Sequence, residues 1–115
     1  MAYPATHNMS YYYGDTYEFA IVPRHFDGTV FDLTGWTAAF TVANHRRGEY
    51  PATPRSFALP ASIVAGKVVC AIDKTFVLTG PEWDDAWVYD VEIKKGDKKH
   101  TLLEGTLSIR RDVTL

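Results

Sequence analysis

Hydrophobic side chains recur at every second position along much of this chain, the period of a strand with one buried and one wetter face. In residues 16–22, Tyr17, Phe19 and Ile21 share a face. In residues 36–43, Trp36, Ala38, Phe40 and Val42 lie opposite Thr37 and Thr41. Residues 67–72 put Val68, Cys70 and Ile72 together. The clearest alternation is Trp87, Tyr89, Val91 and Ile93 against Val88, Asp90, Glu92 and Lys94. Lys95-Gly96-Asp97-Lys98 is a polar turn, and the return strand sends Thr101, Leu103, Gly105, Leu107 and Ile109 to one side. His100, Leu102, Glu104, Thr106 and Ser108 go to the other, so the two segments read as a long hairpin.

Breakers separate these runs. Pro23 ends the first because it lacks a backbone donor, and Asp27-Gly28 gives a turn. Gly48, Pro51, Pro54 and Pro60 make residues 45–60 irregular, with room for a short edge strand at 56–59. Residues 73–78 are expected to form one short helical turn, stopped by Thr79-Gly80-Pro81. About seven short antiparallel strands spaced by turns predict an all-β sandwich or partly open barrel. Residues 15–115 form that domain. Residues 1–14 have no clear period and form an N-terminal arm, expected to lie over a neighbouring surface or add an edge strand, and deletion of residues 1–12 is expected to leave the sandwich folded.

With 115 residues the chain is one domain, long enough to bury a core without metal or disulfide staples. An aromatic share of 14% favours strands. A net charge of -2 gives no basic excess for a general nucleic-acid binder. Cys70 is the single cysteine, which excludes an intrachain disulfide and fits a reducing cytoplasm. The start of the chain does not read as a secretory signal, and no apolar run approaches the roughly 20 residues of a membrane span.

The residues that carry catalysis are not arranged for it. His7, His25, His45 and His100 have no metal-pair spacing and read as solvent-facing turn or strand-edge residues. Phosphate-cradling glycine loops and a nucleophile elbow are absent from the sequence. Cys70, on an apolar strand face, reads as a small core residue. Glu82, Asp84 and Asp85, with Asp90 nearby, offer hard oxygen ligands for calcium, but lack the alternating oxygen spacing of a calcium loop and read first as a solvated turn. No cofactor, metal or catalytic residue is expected, and the chain is expected not to be an enzyme.

Contact residues are the better candidates. Tyr3, Tyr11, Tyr12 and Tyr13 lie in or beside the arm, and tyrosine gives rigid contact area with a polar tip. They cover the domain's own core, dock on a partner protein or stack on a sugar. Arg46 and Arg47, after His45, form a short basic tip able to grip a carboxylate or phosphate. Trp83, in a loop beside Pro81 and Asp84, either caps the sandwich or meets a partner.

Two stretches carry a resemblance. Residues 14–19, GDTYEF, followed by residues 26–37, FDGTVFDLTGWT, resemble a strand, turn and strand pattern of phage structural proteins. Residues 88–93, VYDVEI, then 101–109, TLLEGTLSI, then Asp112-Val113-Thr114 resemble the ending of the same proteins. The family is the N-terminal domain of phage baseplate upper proteins, with related small tail and head accessory proteins. The resemblance implies an Ig-like antiparallel β-sandwich with a structural role in the virion and no catalytic residues. Those proteins continue into further domains, whereas this chain stops at Leu115, which turns the expectation towards a capsid decoration or minor tail protein. The expected partners are other virion proteins, in a homo-oligomer or multicopy assembly made in the host cytoplasm, with no nucleic acid and no membrane. The alternative is a carbohydrate-binding module for host recognition, using Trp83 with Asp84 and Asp85, or the tyrosines.

Overall fold

The computed structural model describes residues 5–49, 51–79, 82 and 85–110. Among the described residues nine strands carry the fold: β1 Ala5–Thr6, β2 Met9–Tyr12, β3 Tyr17–Ile21, β4 Thr37–Ala43, β5 Ser56–Leu59, β6 Ala61–Val64, β7 Lys67–Ile72, β8 Trp87–Lys95 and β9 Lys98–Arg110. They form two sheets. The larger runs β1-β9-β8-β4-β5, with β2 also on β9, and the smaller runs β3-β7-β6. With β3 to β9 taken as strands B, C, C′, D, E, F and G, these are the two sheets of an Ig-like sandwich. The expected all-β sandwich is what forms, with seven strands from Tyr17 onward.

The core lies between the sheets, where the alternation places it. Phe40, Val42, Tyr89, Val91 and Ile93 of the large sheet face Val68, Cys70 and Ile72 of the small one, all buried. Phe19 meets Phe40 edge-on at 5.3 Å, and Phe40 meets Tyr89 the same way at 6.0 Å. Cys70 is a core residue, and burial pushes its thiol up to about 12. Trp87 is buried, packs against Phe57 and Phe76, and donates Nε1–H to the Glu82 carbonyl at 3.0 Å.

Some expectations hold and others need correction. The arm adds strands at a sheet edge, one of the two roles expected of it: β1 and β2 run parallel to β9, Ala5 opposite Leu103 and Tyr12 opposite Arg110. Met9 and Tyr11 point inward with Leu107 and Ile109, and Tyr11 is only 2% exposed. Its hydroxyl donates to the Asp15 carbonyl at 2.6 Å and its ring meets Phe76 edge-on. With Met9 and Tyr11 in the core, removal of the arm should cost stability, against the expectation from the sequence. Between β1 and β2 the chain packs closely on Gly105 of β9, where a Cβ would lie 2.1 Å from the His7 carbonyl oxygen. Tyr89 donates its hydroxyl to that same carbonyl, and the Asn8 side-chain oxygen accepts from Thr106 N at 3.1 Å.

The alternation of β9 also changes midway. Val91 pairs with Leu103 but Glu92 with Thr101, so Leu102 is an extra, bulged residue. Leu102 is therefore fully buried instead of outward. His100, opposite Ile93, is half-buried rather than solvent-facing. Residues 61–64 form β6, joined to β7 by Ala65-Gly66 with both φ positive, 51° and 76°, as a primed hairpin turn needs. Finally, residues 73–78 hold a β-turn, not a helical turn. Phe76 N donates to Asp73 O at 3.1 Å, closing the turn, and the Asp73 carboxylate accepts from Thr75 N at 3.0 Å and Thr75 Oγ1 at 2.6 Å, bracing it from inside.

Candidate docking site

Strand register decides which loops meet. Ile21 pairs with Val68, Thr37 with Lys94, and Val64 with Lys67. The 22–36 connection, the Ala65-Gly66 turn and the Gly96-Asp97 turn therefore share one end of the sandwich. Tyr17 pairs with Ile72, Tyr12 with Arg110 and Ala43 with Val88, which gathers the 12–15 turn, the 73–78 turn and the 44–55 connection at the opposite end.

At the first end, residues 23–31 fold into a braced tongue. His25 N donates to Thr29 O at 2.8 Å, Phe31 N to Pro23 O at 2.9 Å, and Gly28 N to His25 O at 3.0 Å. Asp27 accepts from Thr29 N and Oγ1, and Arg24 Nη1 reaches Gly28 O at 3.0 Å. Phe26 stands at the tip, 82% exposed, with Val30 and Val64 also exposed. Below it, the ring centres of His25 and Phe31 are 5.1 Å apart, Phe31 and Trp36 5.5 Å, and Trp36 and His100 5.4 Å. This chain of tilted and edge-on rings holds the tongue against the sandwich. At its exit, Asp32 accepts from Thr34 N at 2.9 Å and Gly35 takes φ 81°, as the D-L-T-G stretch implies.

The same end of the sandwich carries exposed Arg24, Lys67, Lys94, Lys95, Lys98 and Lys99, interspersed with exposed Asp27, Asp32 and Asp97. Lys99 is tied to Glu92 at 3.2 Å. Hydrogen bonds from Thr29 and Thr34 hold the Asp27 and Asp32 carboxyls below their usual range.

The predicted contact residues do not converge. Tyr11 is buried, which removes it as a contact. Tyr13 packs on the core, and its hydroxyl accepts from Leu78 N at 3.0 Å. Tyr12 is 53% exposed at the second end. Tyr3 and Trp83 lie outside the described residues. Arg46 and Arg47 sit on the outer face of the large sheet, beside an open hollow of about 380 Å³ that Thr41, Asp90, Thr101 and Glu104 also line. Arg46 Nη1 pairs with Glu104 at 3.1 Å, and Thr6 Oγ1 donates to the other Glu104 oxygen. Burial first, then the neighbouring Glu92 carboxylate, raises the Asp90 pKa.

The acidic group considered for calcium is also divided. Glu82, 6% exposed, accepts from Thr79 N and Oγ1, each at 2.8 Å, and pairs with Arg55 at 2.9 Å. Asp85 accepts from Asn44 Nδ2 at 3.0 Å, Asp90 is on the outer face of β8, and Asp84 lies outside the described residues. Among the described residues no three His, Cys, Asp or Glu gather as a metal site.

Phe26 was the residue that the contact list missed. Its signal was present: an aromatic directly before Asp27-Gly28 falls inside a turn, where no strand face can bury it. Neither protein-family models nor curated proteins match this chain.

Proposed function

We propose that this protein is a non-enzymatic structural module of a tailed-phage virion. It is made in the host cytoplasm and binds capsid or tail proteins in many copies, as a decoration or minor tail accessory. The observation that carries the docking role is Phe26, almost fully exposed on a tongue already fixed by its own hydrogen bonds. An aromatic presented on a rigid support gives contact area without the entropy cost of ordering a loop. The virion setting is supported by the resemblance of residues 14–37 and 88–114 to baseplate upper and accessory proteins. The test is the position and copy number of the chain in purified particles, by electron cryo-microscopy and quantitative gels. Many copies on head or tail are expected, and they should be lost with Phe26→Asp. Absence of the chain from particles sinks the reading.

A second reading, a carbohydrate-binding module, is favoured by the hollow on the outer face. Thr41, Thr101, Asp90, Glu104, Arg46 and Arg47 bring hydroxyl, carboxylate and guanidinium groups together in about 380 Å³. Titration with host wall sugars, followed by backbone amide shifts of Thr41 and Thr101, decides it. Unmoved resonances exclude the hollow as a sugar site.

A further inference from the structure

Asp90, Glu92 and Glu104 stand on the outer face of the large sheet. Asp90 and Glu104 are direct cross-strand partners, and Glu92 follows Asp90 two residues along β8. Two of the three are matched by cations. Glu92 pairs with Lys99 at 3.2 Å, and Glu104 pairs with Arg46 at 3.1 Å and accepts from Thr6 Oγ1. Asp90 is left over. It is half-buried, yet among the described residues it accepts no hydrogen bond and joins no ion pair. Burial first, then Glu92 and Glu104, raise its pKa, and the engaged cations Lys99 and Arg46 do not offset them.

The hollow sets Asp90 among other groups with spare hydrogen-bonding capacity. Thr41 is directly opposite Asp90 on β4, and Thr101 is opposite Glu92 on β9. Neither hydroxyl has a partner among the described residues, nor does the exposed guanidinium of Arg47, which also lines the hollow. Ala43 and Val88 add a small apolar patch. An unmatched, half-buried carboxylate favours a cation with N–H donors. The hydroxyls and guanidinium beside it favour hydroxyl groups. A lysine side chain would answer Asp90 alone and leave the other groups unsatisfied. A simple anion would meet Asp90 as a like charge. A sugar ring with a free amine brings both kinds of group, and about 380 Å³ has room for it.

We propose that the hollow takes a sugar carrying a free amine, its ammonium held by Asp90 and its ring hydroxyls by Thr41, Thr101 and Arg47. This deepens the sugar reading of the hollow given above and rests on it. The 44–55 connection that supplies Arg46 and Arg47 belongs to the second end, so docking through Phe26 at the first end leaves the hollow open.

The test is titration of the full chain at about pH 6.5, where the amine is protonated, with glucosamine, N-acetylglucosamine and glucose, followed by the backbone amide shifts of Thr41 and Thr101. Glucosamine should move both resonances, with an affinity on the order of tenfold above that of the other two sugars, since acetylation removes the charge that Asp90 holds. Asp90→Asn, with a melting curve showing it folded, should abolish that preference, and Asp90→Ser takes its place if it does not fold. Equal affinities for the three sugars, or a preference that survives in the Asp90 variant, overturn the amine site and leave the hollow as a sugar site. No shift with any of the three overturns both this proposal and the sugar reading. Binding of N-acetyl-lysine amide as tight as that of glucosamine also overturns it, since the hollow would then be a socket for a lysine of another protein.

Discussion

A side chain at Gly105 has nowhere to go, because the His7 carbonyl and the Asn8 side chain occupy its space. Gly105→Ala should push the arm off β9 and break the Tyr89 bond to His7. A loss of about 2–3 kcal/mol in urea melts is expected. Unchanged stability would mean that the arm does not pack against Gly105. Trp87→Ala empties a site lined by Phe57 and Phe76 and strands the Glu82 carbonyl, and should cost about 3–5 kcal/mol. A loss below about 1 kcal/mol would reverse the assigned face of β8. Asp90 behaves oppositely to a paired carboxylate. Its folded pKa lies above the unfolded value of about 3.9, so the folded state holds its proton more tightly. Its contribution to stability is therefore most favourable at low pH and falls as pH rises from the unfolded to the folded value. Asp90→Asn should stabilise the protein at pH 7 and remove that part of the pH profile. Equal melting temperatures for the two proteins across pH 3 to 7 would contradict this.

Among the elements, β7 and β8 were legible because each keeps strict alternation and is paired on both sides. The short edge strand β5 was legible between breakers. β6 was not, since it comprises four residues after Pro60 and its turn places the non-glycine Ala65 at positive φ. In β9 the alternation is legible from Leu103 to Ile109, but one bulged residue reverses its phase before Leu103. That insertion shows only in the pairing with β8. The arm was least legible. Its strands are short, and their partner lies 98 residues away, so no local pattern announces the pairing. Of the candidate site, the tyrosines were visible as residue types, but whether each faced the core or solvent depended on that distant register. Deleting residues 1–12 removes both Met9 and Tyr11 from the core. A loss of at least about 4 kcal/mol is expected, against a total on the order of 10 for such a domain. A truncated chain that melts like the full one would restore the arm as an appendage.

For the whole molecule, β1 and β2 close a structure whose first and last described strands lie side by side and run the same way. That direction matters when the chain is stretched. Ala5 sits level with Leu103 and Arg110 level with Tyr12, so pulling Ala5 and Arg110 apart slides the arm lengthwise along β9. The bonds between them, including His7 N to Glu104 O and Tyr13 N to Arg110 O, then carry load simultaneously. A hairpin pulled at its open ends would instead yield one bond at a time. The protein should resist tension as a shear clamp, with one high force peak before the sandwich opens, and that peak should be lowered by Gly105→Ala. The glycine that lets the arm lie down thus also sets how hard the folded domain can be pulled.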